Sequence, residues 1–235
     1  MTDWPVHRYG SIDSTNEEAK RFARAGTQGP LWIVAAEQTA GRGRRGREWV
    51  SQEGNLFAPL LIDAPANAHQ LCFVAGLAVA ETIEALAPAS KPTLKWPNDV
   101  LLQGRKTAGI LLEQQGDALA IGIGINLAQH PEKTEFPAIS LKAAAGTAPT
   151  PDAVLPRLAS GWCAWYEVWR AQGFAPIREA WLARAAGLGE TIRARLLDGE
   201  VVGVFEDLDP DGALLLREAG GSLRRITAAD VFFQG

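Results

Sequence analysis

The chain has 235 residues, enough for one substantial domain plus a small one, or for a single large α/β domain. Hydrophobic residues make up 47% and charged residues 21%, a globular composition that argues against disorder. The net charge of −4 argues against whole-protein attraction to nucleic acid or anionic membrane, so any anion site must come from a local cluster.

The opening residues, MTDWPVHRYG, lack a basic-then-apolar signal pattern, and no apolar run approaches membrane-spanning length; the expected location is cytoplasmic. A helix is predicted from about Ser14 to Ala25. Ser14 suits the N-cap, Glu17 completes a capping box and Gly26 suits the stop. Leu31–Gln38 is a short apolar run that predicts a buried strand. The Arg/Gly-rich stretch Thr39–Trp49 reads as a loop. Asn55–Ile62 predicts another strand, in which Pro59 implies a bulge or a sheet edge. Gln70–Leu86 predicts a long apolar helix.

From Thr93 to Leu127 the pattern becomes about three consecutive antiparallel strands, joined by tight turns at Gln103–Lys106 and Gln114–Asp117. Ala153–Arg170 predicts a helix whose Trp162, Trp165, Tyr166 and Trp169 share one face as core packing. Beyond Gly187–Gly189, about five short strands separated by DG, DPDG and AGG turns suggest a small β-barrel. Cys72 and Cys163 lie in apolar helical stretches and read as buried reduced thiols. No cysteine spacing suits a structural zinc.

Four segments carry chemistry. GRGRRGREW (Gly41–Trp49) packs four arginines and three glycines into nine positions. Guanidinium forks grip phosphate oxygens bidentately, and glycines let backbone N–H groups come close. Gly41, Gly43 and Gly46 match GxGxxG, yet no helix pattern follows, which rejects a dinucleotide fingerprint; a P-loop is absent. LKWPNDVLL (Leu94–Leu102) sets Lys95, Asn98 and Asp99 around Pro97. KTAGILLE (Lys106–Glu113) starts an apolar strand with a lysine. GIGINL (Gly122–Leu127) alternates small residues with isoleucines, leaving room for something flat on one face. Each alone has a plain alternative: a solvated basic loop, a Pro-Asn-Asp turn, a snorkelling lysine, tight packing.

In this order, after Ser14-Thr15-Asn16, the four segments resemble the catalytic domain of the biotin–protein ligases, and the resemblance covers residues from about 7 to 235. It implies an α/β (α+β) domain similar to class II aminoacyl-tRNA synthetases, with a mixed or antiparallel sheet and flanking helices. A small SH3-like β-barrel follows. The division implied is 1–187 and 188–235. It further implies ATP-dependent activation of biotin to biotinyl-5'-AMP and transfer to a lysine of a biotin carboxyl carrier protein domain. Biotin and ATP are the substrates and Mg2+ the companion ion.

By the same resemblance, Ser14, Thr15, Asn16 and Gln38 meet the biotin ring system. Gly41, Arg42, Arg44, Trp49 and Lys106 also contact biotin, and Gly109, Leu111, Gly122 and Gly124 form its walls. On the ATP side stand Arg44, Arg45, Arg47 and Trp49, with Lys95, Asn98, Asp99, Lys106 and Asn126. Asp99 is the magnesium ligand, directly or through water. Lys106, Arg42, Arg44 and Lys95 are the catalytic cations, because biotin's carboxylate must approach the α-phosphate of ATP and two anions repel. No general base is needed for that step, and His7, His69 and His130 lie outside every motif.

The Gly41–Trp49 loop is expected to be mobile without ligand and ordered over the adenylate. Only 13 residues precede Ser14, so the expectation is a short form with no operator DNA binding and no membrane contact. Homodimer formation through the Thr93–Leu127 sheet is left open, and Arg224 or Arg225 of the barrel is a candidate to approach ATP. Lipoate–protein ligase shares the scaffold, but the dense GRGRRG loop and KWPND favour biotin. A nucleic-acid-binding module is disfavoured because the basic residues sit in one loop without interleaved aromatics.

Overall fold

The computed structural model describes residues 4–233. The two ends of the implied division, residues 1–3 and 234–235, lie outside the described residues. The chain opens on β1 (Val6–Ile12), which sequence periodicity did not reveal, followed by α1 (Thr15–Arg24) and β2 (Leu31–Gln38). β1 pairs with β2 in parallel, so the sheet is mixed. Ser14 caps α1: its backbone is extended and its Oγ accepts from Glu17 N at 3.4 Å. The capping box is only half formed, which corrects the sequence expectation. Ser14 N–H donates to Asp13 Oδ1, while the Glu17 carboxylate is taken by Lys20, Arg24 and Arg42.

The run around Pro59 divides into β3 (Leu56–Phe57) and β4 (Leu60–Asp63). A break occurs as expected, but the edge position is corrected. β4 lies between β2 and β8 (Ala118–Ile125), deep in the sheet. Pro59 has no N–H to give, and its carbonyl accepts from Ile33 N at 3.0 Å, so the ladder is spared on that side.

The segment from Thr93 onward holds four strands rather than about three: β5 (Thr93–Lys95), β6 (Asp99–Leu102), β7 (Arg105–Gln115) and β8. The Trp96-Pro97-Asn98 turn separates two short strands that periodicity merges. The sheet order is β1-β2-β4-β8-β7-β6-β5, with β3 also on β8. The β7–β8 register sets Gly109 opposite Gly124 and Leu111 opposite Gly122.

α1 packs on one face of this sheet, its Ala19 against Leu31, Ile33, Leu61 and Ala120, and the later helices cover the other. α2 (Leu71–Leu86) is buried almost all round, which explains its uniform apolarity. A 3-10 turn, Ala68–Gln70, precedes it. Together they span 19 residues, long and apolar enough to cross a membrane, which corrects the expectation of no such run; 67% of the window is buried inside the fold. α3 (Leu141–Ala145), α4 (Pro151–Gln172) and α5 (Ala175–Leu182) complete the layer. On α4, Trp162 is fully buried, whereas Trp165, Tyr166 and Trp169 are half-buried and only partly core. Tyr166 stacks between Trp162 and Trp169, and Trp169 Nε1 donates to Gln70 Oε1.

The chain ends in five antiparallel strands: β9 (Thr191–Arg195), β10 (Glu200–Leu208), β11 (Leu214–Arg217), β12 (Leu223–Ile226) and β13 (Asp230–Phe233). Their order is β12-β11-β10-β9-β13. Trp96 Nε1 donates to Gly212 O at 3.0 Å and Arg178 Nε to Leu208 O at 2.7 Å, binding this small sheet to the larger unit.

Asn55 organises the end of β8. Its Oδ1 accepts from Leu127 N, Ala128 N and Gln129 N at 2.9–3.1 Å, and its Nδ2 donates to Gln129 O. Asn55→Ala strands three backbone donors in a partly buried turn. We expect it to cost about 3 kcal/mol in urea unfolding. A loss below about 0.5 kcal/mol would show that water replaces the amide.

Candidate functional site

A cleft of ≈ 380 Å³ opens where β7, β8, the β5–β6 turn, the N-terminus of α1 and the Gly41–Trp49 loop meet the start of β13. One side of its floor is glycine. A Cβ on Gly124 would fall 2.8 Å from the Trp49 ring, and one on Gly109 would fall 3.0 Å from it. The flat group that the alternating glycines predict is, in this structure, the Trp49 indole. Its Nε1 is buried without a hydrogen-bond partner. Beside it, a Cβ on Gly122 would overlap the Asn16 amide, which donates to Glu113 Oε2 at 2.9 Å and Leu111 O at 3.4 Å.

A relay of hydrogen bonds shapes one wall. Thr15 N and Thr15 Oγ1 both donate to Gln38 Oε1 at 2.8 Å. Gln38 Nε2 donates to Ser51 Oγ, and Ser51 Oγ to Trp49 O. The loop is closed on itself by Trp49 N to Gly41 O at 2.9 Å and by a bridge between Arg42 and Glu48. Gly41 is needed there, because a side chain would collide with Ser51 Oγ and the Trp49 carbonyl.

The cations converge on the opposite wall. Lys95 is 7% exposed, among the described residues has no hydrogen-bonded partner, and lies 3.9 Å from the centroid of Phe136. Burial pulls its pKa down to about 8. The Lys106 ammonium lies 2.6 Å from Asp99 Oδ1 but outside hydrogen-bond geometry, leaving that buried oxygen unsatisfied. Arg44 Nη1 donates to Asn98 Oδ1 at 3.1 Å, and burial lowers its pKa. Asn98 Nδ2 in turn donates to Ile110 O, which orients the amide. The Cys72 thiol sits behind Arg44 and donates to Pro97 O; burial pushes it up to about 12, so it stays protonated. Asn126, buried at the end of β8, completes the wall.

Ser14, Thr15, Asn16, Gln38, Arg42, Arg44, Arg47, Trp49, Lys95, Asn98, Asp99, Lys106, Gly109, Leu111, Gly122, Gly124 and Asn126 therefore line one cleft. Gly41 and Arg45 do not, although both belong to the loop. Arg42 is half-exposed and paired with Glu17 at 2.8 Å. Lys20, then Arg24, hold Glu17 ionised and draw its pKa down to about 2, with Arg42 contributing. Arg45 and Arg47 go to Asp230 at 3.1 and 2.5 Å.

The barrel arginines expected near ATP are elsewhere: Arg224 pairs with Glu218, Arg225 with Asp209 and Asp211, and neither lines the cleft. Sequence reasoning missed Ser51, the Pro131–Phe136 loop and Asp230. Nothing local distinguishes an aspartate that opens a barrel strand from an ordinary turn acid. No local pattern marks Phe136, whose ring shields Lys95.

Among the described residues no group of three or more His, Cys, Asp or Glu is placed to hold a metal ion. Asp99 offers one carboxylate with an unsatisfied oxygen. That suits a hard cation arriving with phosphate oxygens and keeping its waters, and does not suit a resident metal cage.

Residues 9–129 match the family described as "Biotin/lipoate A/B protein ligase family", and residues 187–234 match "Biotin protein ligase C terminal domain". The biotin–[acetyl-CoA-carboxylase] ligase of Paracoccus denitrificans is 48% identical over 238 residues, 95% of this chain and 98% of its own. The bifunctional ligase/repressor of Bacillus subtilis is 37% identical over 94% of this chain and 71% of its own length. Among solved structures, the biotin protein ligase from Aquifex aeolicus in complex with biotin and ATP superposes with a TM-score of 0.89. It is 29% identical, covering 98% of this chain and 99% of its own.

Proposed function

The chain belongs to the biotin/lipoate A/B protein ligase family, and on that premise we propose which of its residues carry the reaction. It is a biotin ligase: it activates biotin with ATP and transfers it to an acceptor protein. The observation that carries the residue assignments is the meeting, in one cleft, of a glycine-floored slot, the buried Lys95, unpaired among the described residues, and the partly buried Arg44 and Lys106.

Biotin lies on the Gly109–Gly124 floor, with Thr15, Asn16 and Gln38 at its ring and Trp49 as the wall that moves aside to admit it. Its carboxylate oxygen attacks the α-phosphorus of ATP, and pyrophosphate leaves with the electron pair of the broken P–O bond. Lys106 and Arg44 lie where charge develops on the transferring oxygens, and Lys95 faces the triphosphate. Such fixed cations act strongly because the site is shielded from water. Asp99 would hold magnesium, which would supply charge neutralisation to the leaving pyrophosphate. In the second step the amine of an acceptor lysine attacks the acyl carbon and AMP leaves. The acceptor is a biotin carboxyl carrier protein domain.

The division into a catalytic part and a small domain from residue 188 is supported by the composition shift at Gly187–Gly189. The nucleic-acid reading is disfavoured further, because Arg42, Arg45 and Arg47 are engaged by Glu17 and Asp230 instead of forming an open basic face.

ATP–pyrophosphate exchange tests the function directly. With biotin, exchange should exceed that with lipoate by about 100-fold or more, the discrimination a hydrogen-bonding pocket attains. Equal rates would transfer the assignment to a lipoate ligase.

A further inference from the structure

We propose that Asp230 is a positioning residue, which clamps the arginine loop onto the C-terminal sheet and so sets how that loop meets the nucleotide's phosphates. The inference rests on the biotin-ligase reading for its substrate, and on the following geometry for everything else.

Four guanidinium groups within six residues repel one another, so a defined loop conformation needs an anion inside it. Asp230 is that anion. Its side chain is 6% exposed. Oδ1 accepts from Arg47 at 2.5 Å, and Oδ2 accepts from Arg45 at 3.1 Å and from Arg195 at 3.3 Å. The adjacent Ala229 carbonyl accepts from Arg44 at 3.5 Å. The start of β13 thus receives three of the loop's four arginines. One carboxylate against three guanidiniums orders the cluster without neutralising it, and the surplus positive charge remains available to a polyphosphate.

Two further features show that the clamp is built. Arg45 sits at φ 57°, ψ 31°, the left-handed region that a side chain occupies at a cost. Its ion pair with Asp230 offsets that cost. Asp230 also faces Arg195 across the β13–β9 ladder, and Arg195 grips Glu135 with both amino groups at 2.6 and 3.0 Å. Glu135 neighbours Phe136, the ring over Lys95. One carboxylate in the small sheet therefore governs both the arginine loop and the cover on the buried lysine.

The test uses the full chain carrying Asp230→Asn, with Asp230→Glu as the charge-preserving control. In Asp230→Asn, KM for ATP in biotin-dependent exchange should rise about 10-fold or more. The affinity for biotin should stay within about threefold. Trypsin should cut within Arg42–Arg47 about fivefold faster or more, while cleavage elsewhere is unchanged, because the loop opens locally. Asp230→Glu should recover most of both effects. Should Asp230→Asn not fold, Arg45→Gln removes one arm and carries the same expectation for loop cleavage. Unchanged ATP KM together with unchanged loop cleavage would overturn the clamp. Absence of exchange in the wild type would overturn the biotin-ligase reading instead, and the trypsin measurement would still decide the clamp.

Discussion

Lys106→Ala is expected to lower biotin-dependent ATP–pyrophosphate exchange by about 10³-fold, the loss usual when a preorganised stabilising donor is removed from a water-poor site. Two effects add. The ammonium that draws both the carboxylate and the α-phosphate into contact is gone. Asp99, 2.6 Å from that ammonium and 12% exposed, is also left as an uncompensated negative charge facing the incoming phosphates. The strand survives, because Lys106 holds its place by backbone bonds: its N–H donates to Pro137 O and its carbonyl accepts from Ile139 N. Thermal unfolding should therefore move little while exchange collapses. Exchange retained within about threefold in Lys106→Ala would remove Lys106 from the reaction.

Lys95 is the case in which function opposes stability. Burial among Phe136, Phe232 and Phe233 holds its pKa at about 8, against 10.5 for a free lysine. Below about pH 8 the amine is charged in folded and unfolded chains alike, and the fold bears the full cost of burying it. Between about 8 and 10.5 the folded state has shed the proton and the unfolded state still binds it, so stability rises with pH in that window. The gap corresponds to roughly 3 kcal/mol as an upper figure. Lys95→Met should accordingly raise the melting temperature at pH 7 and abolish the rise above pH 8.

The same substitution should reduce exchange by about 100-fold or more, since the cation facing the triphosphate is lost. In the wild type, kcat/KM for ATP, which reports the free enzyme, should fall as pH passes about 8. Lys95→Arg, which keeps its charge, should flatten that fall. A wild-type profile flat to pH 9.5 would show that Lys95 is charged throughout and that its burial is compensated by an unseen partner.

The lining of the cleft was legible in the sequence because it resides in contiguous segments. A loop that must grip phosphate needs arginines and glycines side by side. A strand floor that admits a flat group needs glycines two apart, as at Gly122 and Gly124. Long elements were legible for a related reason: α2 and α4 impose a helical or uniformly apolar period over many residues.

What local pattern does not encode is where a break falls in a sheet. Pro59 announced an interruption, yet only tertiary pairing decided that β4 is central, where the ladder forgoes the one bond Pro59 cannot donate while its carbonyl still accepts from Ile33 N. The second carboxylate site, Asp230, and the cover on Lys95, Phe136, were equally invisible.

The amino-acid order by itself determined the kind of reaction, the cleft's cations and its glycine floor, because each depends on residue type at short spacing. The folded chain alone decided which charges meet. Asp230 reaches Arg45 and Arg47 across more than 180 residues of chain, and Lys95 acquires its depressed pKa from burial beneath segments distant in sequence. Electrostatic energy depends on distance in space and on exclusion of water, neither of which is written in sequence separation.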